Sequence, residues 1–437
     1  MNLETVLLYV LGIVLVLIGL AISIGLHELG HLVPAKRFGV YVSRYMIGFG
    51  PTLWSRRRGE TEYGIKLLPL GGYIAMAGMY PPRHDGDPMR DSTTSFFDAA
   101  VQEAGPSEDP ARAFYRLPIW KRIVIMLGGP AMNLLLAVVC FAIVLCGFGI
   151  PQVTNVVGSV STCVIPVGSD RTECAATDDP APAVVAGIEP GDRIVAIDGV
   201  ATTAWVDVAE AIRVHPGQPI DLTVERAGEQ VGLTATPLLS QNYALDDEGA
   251  VIVGADGEPE VVDVGVLGIR PGTENVRQSP LAVLPAVGEN VGAVVGAIAT
   301  LPQRVWDLGV AMFGGGERDP NGLVGVVGIG RLAGEITSYQ TASVADRASS
   351  IVGLLGSLNV ALFLFNLIPL VPLDGGHVFG ALWEGLRRWF ARLRRRPDPG
   401  PIDIQKLAPL TLAVTVLLLA LGAFVILADI IKPISIL

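Results

Sequence analysis

The sequence predicts a polytopic α-helical membrane protein with four transmembrane helices and one β domain outside the bilayer. Three observations carry this. Apolar side chains make up 51% of the 437 residues and charged ones only 17%, a composition that excludes a purely cytosolic enzyme. Four stretches lack Asp, Glu, Lys and Arg and are long enough to cross a hydrocarbon core of about 30 Å as helices. They are Thr5–Leu26, Ile123–Ile150, Ala348–Leu373 and Leu407–Ala428. Charge is also segregated: Lys+Arg against Asp+Glu runs 13 to 9 from Leu32 to Ile123, 7 to 3 from Gly376 to Lys406, and 10 to 26 from Pro151 to Ser350. The positive-inside rule puts the two basic loops in the cytosol and the acidic segment outside. Four crossings then place both termini outside.

Residues 1–31 hold the first helix. Its start carries Glu4 and no Lys or Arg, and no small-x-small site closes the run, so it is expected to stay as an anchor rather than be removed. Residues 32–122 form a cytosolic loop containing an apolar piece, Leu67–Met79, that is too short to span. Gly71-Gly72 predicts a turn in it, giving a hairpin or re-entrant β-loop at the membrane. Lipid cannot satisfy open backbone groups, so such a loop must lean on protein or line a wet cavity. Residues 81–109 read as a mobile Pro-, Asp- and Ser-rich linker. Ala111–Arg122 reads as a short interfacial helix, with Phe114, Ile119 and Trp120 set against Arg112, Arg116 and Lys121. Residues 123–150 are the second helix, in which Cys140 and Cys146 serve as apolar fillers.

Residues 153–271 have the texture of a small β domain. Val184–Gly199 is a Gly/Pro-punctuated loop, a short apolar strand and an Asp-Gly turn. Asp221–Arg226 and Val231–Thr236 form a hairpin pair, and Val264–Ile269 is a last strand after an acidic insertion, Asp246–Glu260. Cys163 and Cys174 lie in this outer segment, where the compartment permits a disulfide, and a structural one is the favoured reading. Within residues 279–347, Ser279–Gly316 is mostly apolar but interrupted by Glu289, Arg304 and Asp307, so it reads as a membrane-lying amphipathic region. Residues 348–376 are the third helix and its Leu-Asp-Gly-Gly end, 377–406 a basic cytosolic loop, and 407–431 the fourth helix. The six arginines of Arg387–Arg396 fix orientation and meet anionic lipid.

The chemistry sits at helix ends. His27-Glu28-Leu29-Gly30-His31 closes the first uncharged run. On a helix, i and i+4 share a face, so both imidazoles can reach one cation while Glu28 stands beside the first, placed to act on a bound water. A catalytic zinc takes three protein ligands and leaves one position open. Asp374, in Phe365-Asn-Leu-Ile-Pro-Leu-Val-Pro-Leu-Asp-Gly-Gly-His377, closes the third run and is the candidate third ligand. The two can share an ion only if the first and third helices run the same way, which requires that Ser279–Gly316 not cross. His377 is read as an interfacial hydrogen-bonding group, and His84 and His215 as surface or structural residues.

These motifs resemble the site-2 protease family of intramembrane zinc metalloproteases in its bacterial form with a single PDZ domain. The resemblance rests on HExxH at the end of a first helix, the Asn-x-x-Pro-x-x-x-Leu-Asp-Gly-Gly of a third, Pro69–Tyr73, and Gly129-Pro130-x-x-Asn133. The Ala186-Gly-Ile-x-x-Gly-Asp-x-Ile core with a following Ile-Asp-Gly resembles a PDZ domain. The resemblance implies that Zn2+ is the cofactor, that His27, His31 and Asp374 are its ligands, that Glu28 is the catalytic acid/base, and that Asn366 positions substrate backbone or stabilises the oxyanion. It also implies partners: single-pass membrane substrates such as anti-sigma factors, an upstream site-1 protease that cuts first, and membrane lipids, but no nucleic acid. Two other classes fit part of the pattern. A metal transporter also needs intramembrane His and Asp, but its ligands belong near the midplane of repeated halves. A catalytically silent PDZ scaffold has no use for Glu28.

Overall fold

The computed structural model describes residues 3–81, 90–93, 110–165, 171, 174–175, 177–243, 260–316, 318–320, 322–371, 373–402 and 408–434. His84, most of the 81–109 linker and nearly all of the Asp246–Glu260 insertion lie outside these residues. The chain forms two compact units, one of Met1–Phe148 with Gln278–Leu437 and one of Gly149–Arg277.

The first unit opens with helix α1 (Leu3–Arg37) and strands β1 (Val42–Arg58), β2 (Thr61–Tyr80) and β3 (Arg90–Thr93). Helix α2 (Ile119–Ala142) follows and is extended by a π-helical turn to Phe148. The second unit runs β4 (Ile150–Val160), α3 (Pro182–Val185), β5 (Arg193–Ile197), β6 (Val200–Ala201), α4 (Trp205–Arg213), β7 (Ile220–Arg226), β8 (Glu229–Ala235), β9 (Leu238–Tyr243), β10 (Val261–Val266) and β11 (Ile269–Val276). The first unit then resumes with α5 (Val283–Ala299), α6 (Leu301–Phe313), α7 (Val326–Ser338), α8 (Val344–Leu367), α9 (Asp374–Leu393) and α10 (Ala408–Ile431).

Among the described residues, five helices are long and apolar enough to cross a membrane: Leu3–Arg37, Ile119–Phe148, Pro280–Ala299, Val344–Leu367 and Pro409–Ile431. The one beyond the four charge-free runs contains Glu289. It belongs to a helical pair rather than to one membrane-lying helix. The pair begins at the C-terminal end of α2, where the Gln278 N–H donates to the Leu145 carbonyl at 2.8 Å. It ends at the C-terminal end of α10, where Leu308 packs on Val425 and Ala428 and the Lys432 ammonium donates to the carbonyls of Ala311 and Gly316. Helices α1 and α8 run in the same direction, since Val16 clusters with Ile351 and Ser23 bonds Asn359 further along both.

Two local expectations change. The strands β1 and β2 join at a Gly59-Glu60 turn, and the chain reverses again across 68–72, where Gly71-Gly72 suggested a turn. Residues 42–47 pair antiparallel with 72–76 and parallel with 62–65, while 52–58 pair antiparallel with 61–66, giving four runs. Ala111–Arg122 is two separate 3-10 turns, Pro110–Arg112 and Phe114–Arg116, and α2 begins after Pro118. Proline cannot continue a helix, so α8 stops at Leu367 before Pro369. Asp374 therefore opens a new helix, and much of 377–406, read as a loop, is helical.

In the second unit the sheet order is β11-β4-β5-β7-β8, antiparallel throughout, with β6 on β5. The expected turns are present: Asp198-Gly199 and Ala227-Gly228 both have positive φ, as two-residue hairpin turns require. The last strand divides at Gly268 (φ 80°), so that β10 pairs with β9 and β11 with β4. Ile188, Ile194, Val208, Leu222, Val224 and Leu267 lie in the core. Cys163 and Cys174 are disulfide-bonded.

Candidate metal centre

Two i, i+4 histidines on α1 and the first residue of α9 meet at one point. His27 Nε2 lies 3.3 Å from Asp374 Oδ2, His31 Nε2 lies 3.3 Å from the same oxygen, and the two nitrogens are 3.2 Å apart. Ligands at Zn–N distances of 2.0–2.1 Å in a tetrahedron stand roughly 3.3 Å from one another, so this near-equilateral triangle has the size of one zinc face. Asp374 Oδ2 is buried and makes no hydrogen bond, and His31 is fully buried. A buried carboxylate oxygen without a donor is costly unless a cation meets it.

The rings are aimed from behind. His31 Nδ1–H donates to the Ile125 carbonyl of α2 at 2.8 Å, which leaves the Nε2 lone pair for a metal. His27 Nδ1 lies 3.2 Å from the side-chain amide of Asn133, whose buried Oδ1 has no partner. Exchanging the two ends of that amide lets Oδ1 accept from His27 Nδ1–H and satisfies both groups. Close approach of α2 depends on glycine. A Cβ at Gly129 would run into the His31 ring and stand 2.8 Å from His27 Cε1, and one at Gly30 would strike the Gly128 carbonyl. Glu28 is buried on α1, and β2 crosses over it at Gly72, where a Cβ would stand 2.9 Å from Glu28 Cγ.

A profile of peptidase family M50 matches residues 15–396. The chain belongs to family M50, the site-2 proteases. It is 32% identical to the zinc metalloprotease Rip1 of Mycobacterium tuberculosis over 98% of this chain and 99% of that protein. The Mycolicibacterium smegmatis Rip1 is 32% identical over 98% of each. The metalloprotease MmpA of Caulobacter vibrioides is 31% identical over 87% of this chain and 88% of its own length. This M50 chain is thus a zinc metalloprotease, a multi-pass membrane protein with Zn2+ as its cofactor, and the His27, His31 and Asp374 donor set fits that ion.

Sequence reasoning placed the M50 ligand candidates but not the site's depth. His27 stands ten residues before Arg37 on α1, Asn133 eleven after Arg122 on α2, and Asp374 ten before Glu384 on α9. At 1.5 Å per residue, each helix carries the site about 15 Å inside its first buried or terminal charge. Arg122 and Glu384 tie those levels together in a buried ion pair at 2.6 Å.

Asn366 lies in the last turn of α8, half-buried, without a side-chain hydrogen bond among the described residues and outside the triangle. His377 is buried one turn along α9 from Asp374 but is not in the metal-capable cluster. His215 is in the β domain, 2.7 Å from the Ala211 carbonyl. The cross-link of Ser23, one turn before His27, to buried Asn359 of α8 at 2.9 Å was missed. Its signal was present: a Ser and an Asn within uncharged spans predict a bond between helices.

Proposed function

We propose that His27, His31 and Asp374 hold the zinc, that Glu28 is the acid/base, and that the enzyme cleaves transmembrane segments of single-pass membrane proteins. The carrying observation is the 3.2–3.3 Å triangle of two imidazole nitrogens and a buried, undonated carboxylate oxygen. Bound zinc supplies an acidified water and polarises the carbonyl under attack. Glu28 takes the proton of the attacking water and later gives it to the leaving amine. Asn366, on the segment leading to Asp374, holds the substrate backbone or the developing oxyanion. A helical substrate hides its carbonyls in its own hydrogen bonds, so it unwinds and is held extended beside the β1–β2 sheet by strand addition.

Four crossings, with α5–α6 returning to its own side, keep the basic ends of α1 and α9 in the cytosol, where water reaches the site. The β domain then lies outside as a PDZ-like module. We assign it a filtering role: it excludes bulky ectodomains and admits substrates already trimmed by a site-1 protease. Anti-sigma factors are the substrate type this implies, in regulated intramembrane proteolysis. The test compares the membrane proteomes of wild-type and Glu28→Ala cells. A trimmed single-pass protein accumulating only in the variant supports the proposal; identical proteomes would sink it.

A further inference from the structure

Helix α9 is inside out for a helix in water. Its buried positions are Asp374, Gly375, Gly376, His377, Ala381 and Glu384, while Phe379, Leu382, Trp383, Leu386, Trp389 and Leu393 are exposed. A water-facing helix presents the opposite pattern, with its apolar stripe inward. Glu384 is engaged: it pairs with Arg122 and Arg388 and accepts from the Ile402 N–H. Phe379 and Trp383 also line an apolar pocket with Leu370 and Leu410 beside the metal-ligand turn. At the far end, Arg392 and Arg394–Arg396 are exposed and have no acidic partner among the described residues.

We propose that the exposed apolar face of α9 is seated against the bilayer hydrocarbon, that Arg392 and Arg394–Arg396 at its end bind anionic phospholipid headgroups, and that this seating holds Asp374 against the two histidines. A continuous apolar stripe ending in unpaired arginines complements a surface that is hydrocarbon below and anionic above. Each basic residue near such a surface favours it roughly fivefold. A rigid helix transmits the seating, because Asp374 is its first residue. This last step rests on reading Asp374 as a zinc ligand; the seating itself does not.

The test uses the full chain in vesicles mixing phosphatidylcholine with phosphatidylglycerol, brominating the tails of one lipid at a time. The fluorescence component lost in Trp389→Phe isolates the indole one turn before Arg392. Brominated phosphatidylglycerol should quench that component several-fold more than brominated phosphatidylcholine at equal mole fraction. Replacing Arg392, Arg394, Arg395 and Arg396 with Gln should bring the ratio near one. Equal quenching in the parent, or quenching by neither lipid because protein or water covers the face, overturns the seating. Zinc release to a chelator should be about threefold faster without the anionic lipid in the parent only. Release that ignores lipid while quenching stays selective overturns the coupling to the site and leaves the protease reading untouched.

Discussion

Gly129→Ala tests whether the centre is held by the backbone of α2. The added Cβ would meet His31 Cε1 at 2.7 Å and His27 Cε1 at 2.8 Å, against ordinary contacts beginning at 3.4 Å, so α2 or the rings must yield by ~0.6 Å or more. The hydrogen bond from His31 to the Ile125 carbonyl joins the same helix, so retreat of α2 also turns the ring. Displacements approaching 1 Å at reacting groups cost about 10²-fold, and the variant should lose that much kcat/KM together with part of its zinc. The assay is cleavage of a reconstituted transmembrane substrate, with zinc measured on the same preparation. Gly147→Ala is the control, since nothing stands within 4 Å of its Cβ position. Full zinc and full activity in Gly129→Ala would refute the reasoning.

Asp374→Ala should lower zinc content and activity together, whereas His377→Ala should keep its zinc; metal analysis in the reverse order would reassign the third ligand. A cysteine at Gly59 or Pro399 should be shielded from an impermeant thiol reagent in intact cells and one at Gly228 labelled, and the opposite pattern would invert the topology. In the β domain, Asp192 is buried; desolvation opposes its charge, yet bonds from Arg226 at 2.7 Å and from the Glu189 N–H hold its carboxyl below the usual range. The stabilisation is therefore full above the ordinary carboxylate pKa and lost as pH falls through the lowered value. Asp192→Asn should raise protease sensitivity of 149–277 at neutral pH, and its sensitivity should grow less on acidification over that window than that of wild type, in which Asp192 adds to Asp178 and Asp207.

The apolar helices and the candidate ligands that meet in the triangle were legible because each rests on a local rule. Uncharged length gives the helices, i and i+4 give the histidine pair, and an Asp closing an apolar run gives the third donor. The Asp-Gly turn at 198–199 was equally plain, since few dipeptides suit two positive φ angles. What escaped was set by contacts distant in sequence. Gly71-Gly72 marks a reversal by composition, but only the fold shows that the returning run pairs with the other edge of 42–47 and that Gly72 packs on Glu28. The helical state of residues after Asp374 was masked by their charge, because a sequence of exposed aromatics and arginines matches neither a span nor a water-facing helix. Asn133 was visible as a motif residue, but only the fold shows it behind His27.

The most direct measurement of the central claim pairs zinc content with proteolysis for purified Glu28→Ala. Zinc should stay at the wild-type level, because Glu28 is outside the candidate ligand triangle, and cleavage should fall more than about 10³-fold, because both proton transfers fail. Near-normal cleavage by the zinc-loaded variant would contradict it.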